Sequence, residues 1–168
     1  MRNSLFAIIS SLLLVLSLAP AIIAEDNPLA IFASYADKNW VHDNGKSTPE
    51  RFQDISKWRW ILNKKAIRTS HSVNDGVYEG ETHIFYDPAT KTILMNYVTT
   101  AGFYTVGSAQ KVGEEIHFHE TVKGNTGGIT DVEAKSSITA EGHMVVSSRM
   151  KSKGAWSKWS TRLYKQLK

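Results

Sequence analysis

From Ser56 onward the sequence alternates apolar and polar side chains, and turn-forming residues interrupt it at near-regular intervals. Trp58, Trp60 and Leu62 share one face of a first strand that closes at Asn63-Lys64-Lys65. Ala66 to Val73 follows, and Asn74-Asp75-Gly76 is a strong turn signal. Glu79 to Tyr86 alternates again and stops at Asp87-Pro88-Ala89-Thr90-Lys91, where the proline's missing N–H costs no ladder bond. Thr92–Thr100, Phe103–Lys111, Glu114–Lys123, Ile129–Ala140, His143–Met150 and Ala155–Gln166 continue the pattern, with Ile129–Ala140 long enough to hold a bulge. The count is about nine strands at a spacing of about ten residues, the signature of an all-β domain.

Connections this short force neighbouring strands to pair antiparallel, because a parallel crossover needs a dozen or more residues. A meander of this length leaves two open edges unless its ends meet. The expected fold is therefore an all-β, antiparallel up-and-down meander closed into a barrel. A two-sheet sandwich is the alternative. An outer-membrane barrel would need an unbroken apolar belt, which Ser70-His71-Ser72, Ser108 and Ser136-Ser137 interrupt.

Ahead of this pattern lies a different stretch. Arg2, the apolar run Leu5–Leu18 and the small residues around Pro20 follow the order of a secretory signal peptide, assigned to residues 1–24. Residues 25–55 are expected to form a short helix and a loop. Asn27-Pro28 can open the helix, and Leu29, Phe32, Ala33 and Ala36 fall on one face. Thr48-Pro49-Glu50-Arg51 could open a second, single-turn helix with Phe52 and Ile55 as its buried side, and His42–Lys46 reads as loop. Residues 56–168 then form the barrel, within a single domain 25–168.

Composition narrows the chemistry. The absence of cysteine excludes a disulfide scaffold, a lipid-anchored cysteine and a thiol nucleophile, and suits an exported protein of a bacterial periplasm or the medium outside the cell. The net charge of +4 is modest. The six basic residues between Lys151 and Lys168 would fall on both faces of their strands, so no nucleic-acid stripe is expected. No stable membrane insertion is expected once the leader is removed, and the sequence leaves the oligomeric state open.

The run Gly76-Val77-Tyr78-Glu79-Gly80-Glu81, then Ile84-Phe85-Tyr86-Asp87-Pro88, resembles lipocalin-like bacterial proteins of the DUF1579 type. Thr99-Thr100-Ala101-Gly102-Phe103 and a final strand ending Arg162-Leu163-Tyr164-Lys165 extend the resemblance. It implies a small calycin-style barrel, and it transfers no catalytic set.

No nucleophile elbow, phosphate loop, zinc-protease motif or calcium loop is present, and no cofactor is expected. The aromatic residues Trp58, Trp60, Phe85, Tyr97, Phe103, Phe118 and Trp156, with His71, Thr99 and Arg149 as sparse polar groups, could line an interior that holds a small apolar or amphipathic ligand. The same residues would equally suit a filled core. An alternative is a small hydrolase or isomerase in which histidine and glutamate move a proton. Metal binding is a weaker option. His117 and His119 share a face with Cβ atoms about 6–7 Å apart, and His83 could join them only if the barrel brought their strands together.

Overall fold

The computed structural model describes residues 27–47, 49–124 and 127–167. The region assigned to a signal peptide lies outside them.

Among the described residues there are eleven strands: β1 (Lys38–Asp43), β2 (Gln53–Ile61), β3 (Ala66–Val73), β4 (Tyr78–Asp87), β5 (Thr92–Thr99), β6 (Tyr104–Val112), β7 (Glu115–Lys123), β8 (Ile129–Ile138), β9 (Met144–Ser152), β10 (Ala155–Trp156) and β11 (Ser160–Leu167). Each of β1 to β9 pairs antiparallel with the next. β11 then bridges β9 and β1, so ten strands form a closed ring. Closure leaves the ring with no free edge. The two-residue β10 is a spur hairpinned onto the end of β9.

Three local expectations change. The helical signal at Asn27-Pro28 yields a 3-10 helix over Pro28–Phe32, with the Asn27 side chain accepting from the Leu29 N–H at 3.0 Å. It does not extend to Ala36, because the chain turns there and Asp37 takes a left-handed conformation (φ 57°) leading into β1. His42 and Asp43, expected in a loop, end β1, and Ile55, expected in a short helix, lies within β2. Pairing with β2 and β11 stabilises β1 where its own sequence does not mark it. The last expected strand is split, since Ser157–Trp159 separate β10 from β11. The bulge expected in the long eighth strand falls between Ile129 and Asp131.

Residues directly opposite one another on paired strands share a face. One such face is continuous around the ring and holds the core. Phe32 and Ile67 are both 0% exposed, and Trp40, Ile84, Met95, Ile116, Met144 and Tyr164 join them. The 3-10 helix stops this end of the barrel. Phe32 reaches the rings of Trp58 (6.0 Å) and Phe118 (6.3 Å), and Tyr35 stacks on Trp58 at 5.4 Å. Trp40 donates its indole N–H to the Tyr35 carbonyl at 3.1 Å, which ties the stopper to the wall. Apolar area removed from water at about 25 cal/mol per Å² drives this packing.

Candidate functional site

Toward the other mouth the inward-facing positions change character. His71 on β3 follows Ile67 and Thr69 on the interior face. Its ring sits between Asp54 of β2 and Tyr97 of β5: Nδ1 lies 3.3 Å from Asp54 Oδ1 and Nε2 lies 2.7 Å from Tyr97 Oη. The Tyr97 hydroxyl meets that of Tyr78, on β4, at 2.6 Å. Tyr164 on β11 donates to Asp54 Oδ2 at 2.7 Å. The result is a hydrogen-bonded chain across the barrel: Tyr164, Asp54, His71, Tyr97, Tyr78. Nearby, the Thr105 hydroxyl of β6 donates to the Glu120 carboxylate of β7.

Gly80 makes room for this chain. A Cβ there would fall inside the Tyr97 ring and against its hydroxyl, so a glycine is needed for Tyr97 to lie across the barrel toward His71. Phe103 packs edge-on to Tyr97 at 6.3 Å, held by Thr99 donating to the Phe103 carbonyl at 3.0 Å.

The electrostatics follow from burial and partners. Burial opposes the Asp54 charge, but hydrogen bonds from His71 and Tyr164, with the positive fields of His71 and Arg162, hold its carboxyl below the usual carboxylate range. Burial raises the Tyr97 phenol strongly, helped by the Tyr78 hydroxyl and the negative Glu120 and Asp54. Burial likewise raises Tyr164, and Asp54 adds to that. Glu120 is raised by burial, partly offset by Thr105 and His119.

Water reaches this end. His71 keeps 23% of its side chain exposed, and Tyr78, Phe103, Glu120, Val122 and Val132 are only partly buried. Met150, opposite Val132 on the same face, is 46% exposed. The inward positions at this end are thus less completely covered than those at the stoppered end, with Trp58 and Phe118 packed on Phe32 beneath them.

Of the residues singled out in the sequence, Trp58, Trp60, His71, Tyr97, Thr99, Phe103 and Phe118 belong to the interior. Three do not. Phe85 pairs with Ala66 and Leu94 on the outer face, because the inward position beside it is Ile84. Arg149 pairs with Glu133, one position off the inward Ala134–Ser148 pair. Trp156 pairs with Lys151, on the Arg149 side of β9. On that outer wall the Arg149 guanidinium stacks at 4.7 Å on both Trp156 and Trp159 and makes a 2.6 Å ion pair with Glu133. It borders a depression of about 750 Å³ lined also by His117, His119 and Lys135.

His117 and His119 face outward, each beside one carboxylate: Glu115 at 2.9 Å and Asp131 at 3.9 Å. His83 lies on β4 beside Glu81, with β5 and β6 between it and β7, so the three imidazoles do not converge. Among the described residues no group of three or more histidine or carboxylate side chains is placed to hold a metal ion.

Asp54, Tyr78, Glu120 and Tyr164 were not picked out by sequence reasoning. The available signal was the inward parity each shares with a recognisable core residue. Period-two alternation discounts it when the residue is ionisable.

No protein-family model matches the sequence, and no curated protein matches it. Among solved structures, the crystal structure of Rv2717c from M. tuberculosis is similar, with a TM-score of 0.60 at 10% identity, covering 84% of this chain and 98% of that one. At that identity the likeness extends to the fold: this chain is an all-β antiparallel meander closed into a ten-stranded barrel.

Proposed function

We propose that this protein is an exported, non-catalytic barrel that takes one small apolar or amphipathic molecule into its upper chamber. The carrying observation is the change along a single inward face, from 0% exposure at Ile67 on β3 to 46% at Met150 on β9. A filled barrel would seal both ends. Here one end is stoppered and the other leaves apolar side chains wet around a few convergent polar groups, the composition of a small-molecule site. Trp58, Phe103, Phe118, Val132 and Met150 supply apolar surface, while His71, Tyr78 and Glu120 supply orientation. Both nitrogens of His71 already have partners, which suits a fixed polar anchor better than the free base of an acid–base enzyme. The leader-like residues 1–24 support export.

The test is a fluorescence titration with N-phenyl-1-naphthylamine, paired with a melting curve. Saturable binding and a rise in melting temperature are expected. Met150→Trp, which fills the mouth, should weaken binding at least tenfold. No saturable binding to the wild type, or unchanged affinity in Met150→Trp, would overturn the assignment.

A further inference from the structure

The hydrogen-bonded chain has a direction, and its direction is set at one atom. Ionised Asp54 can only accept, so His71 Nδ1 must carry a proton toward it, as Tyr164 does from the other side. In neutral His71, Nε2 is therefore bare and accepts from the Tyr97 hydroxyl. The Tyr97 oxygen in turn accepts from Tyr78. Tyr78 has no other hydrogen-bond partner among the described residues, so its oxygen offers the chamber lone pairs alone. Adding a proton at His71 Nε2 reverses each link. The imidazolium donates to Tyr97, Tyr97 donates to Tyr78, and the Tyr78 O–H is released toward the chamber. Within the protein only hydroxyl rotations are needed: the new N–H forms as a solvent hydronium gives up its proton and becomes water, and no other covalent bond is made or broken.

We propose that Tyr78 is the specificity-determining contact of the chamber and that the protonation state of His71 sets its polarity. With His71 neutral the site selects a ligand group that donates a hydrogen bond, such as a hydroxyl. With His71 charged it accommodates a group that only accepts, such as an ether or carbonyl oxygen. The groups around the imidazole are consistent with this. Asp54 of β2 and, beyond Tyr97, Glu120 of β7 are acidic. Tyr78 of β4, Tyr97 of β5 and Tyr164 of β11 are phenols. Arg162 of β11 acts on Asp54 while stacked on Phe52, and His42 of β1 packs on Tyr164 with Nδ1 against the Leu163 carbonyl. Asp54 is the only one of the charged groups in hydrogen-bond reach of the ring, and it fixes Nδ1 as the donor. The other nitrogen, hydrogen-bonded to the Tyr97 hydroxyl, is the one that can take a second proton.

This inference rests on the chamber's being the ligand site, and two measurements separate the claims. The first needs no ligand. In protein labelled with ¹³C at tyrosine Cζ and histidine Cε1, the Tyr78 and Tyr97 signals should move with the same midpoint as the His71 signal, and should stay flat in His71→Gln. A flat Tyr78 signal through the His71 titration in the wild type overturns the polarity switch whether or not anything binds. The second compares 2-naphthol, which can donate, with 2-methoxynaphthalene, which can only accept. The hydroxyl probe should bind about tenfold more tightly above the His71 midpoint found in the first measurement, a factor corresponding to about 1.4 kcal/mol, and the preference should shrink toward unity below it. Tyr78→Phe should abolish that pH dependence. A preference independent of pH in the wild type, or a pH-dependent one persisting in Tyr78→Phe, overturns the role of Tyr78. If neither probe binds while the tyrosine signals still follow His71, the binding site is refuted and the switch stands.

Discussion

The two ends of the barrel share one wall and one alternation of side chains, yet they are filled by opposite means. At the stoppered end, large apolar groups exclude water and the 3-10 helix supplies the missing volume through Leu29 and Phe32. At the open end, Asp54, His71, Tyr78, Tyr97 and Tyr164 satisfy one another's polar atoms in a chain. Buried polar groups are tolerable when paired and expensive when one partner is lost. Stability should therefore depend on volume at one end and on hydrogen-bond completeness at the other.

The sharpest way to break that contrast is at Phe32. Phe32→Ala should cost about 3–5 kcal/mol in urea unfolding, because a fully buried ring leaves a cavity that the rigid ring of strands cannot close. A smaller loss would show that the helix rests on the barrel without stopping it. At the open end, Asp54→Asn should cost about 1–3 kcal/mol at neutral pH, since His71 and Tyr164 lose a charged acceptor. The pH dependence has a definite sign. The Asp54 carboxyl is depressed in the folded protein, so its contribution is present above the ordinary carboxylate range and disappears as pH falls through the depressed value. Asp54→Asn should remove that part of the acid loss, seen as a flatter stability curve below about pH 4. The smallest effect is expected at Glu120 and runs the other way. Its carboxyl is raised, so the unfolded chain gives up the proton first as pH rises and stability falls above about pH 4. Glu120→Gln, which can keep the Thr105 contact, should raise the melting temperature at pH 7, corresponding to about 1 kcal/mol. A lower melting temperature would show that the Glu120 charge is needed in the wall.

Alternation and turn chemistry made most of the wall legible. Asn74-Asp75-Gly76 and Asp87-Pro88 mark connections that the structure contains, and nine of the ten ring strands follow from the pattern beginning at Ser56. β1 was not legible, because Lys38-Asn39-Trp40-Val41-His42-Asp43 carries one strong core residue and two charged ends, and its strand conformation comes from two partners distant in sequence. Phe85 shows the limit of period two. It sits between Ile84 and Tyr86, so apolar character alone cannot choose the face. Arg149 and Trp156 found each other on the outer wall by stacking, an interaction that alternation does not encode. Within the site, His71 was legible because Ile67, Thr69 and Val73 share its face. Asp54 was not, since the segment around it reads as the start of a helix. Depth along the barrel axis is invisible to a two-residue period, so the boundary between sealed and wet layers emerged only from the register of all ten strands.

The seam between β1 and β11 joins Asn39 to Leu167 and Val41 to Lys165. An emerging polypeptide can zip β2 through β9 hairpin by hairpin, but it holds two unsatisfied backbone ladders until Ser160–Leu167 has left the ribosome or the translocation channel. Contacts so remote in sequence close slowly, and bare ladders recruit other chains. Substitutions or deletions within Ser160–Leu167 that prevent this pairing should therefore be far more damaging to cellular solubility than their small size suggests.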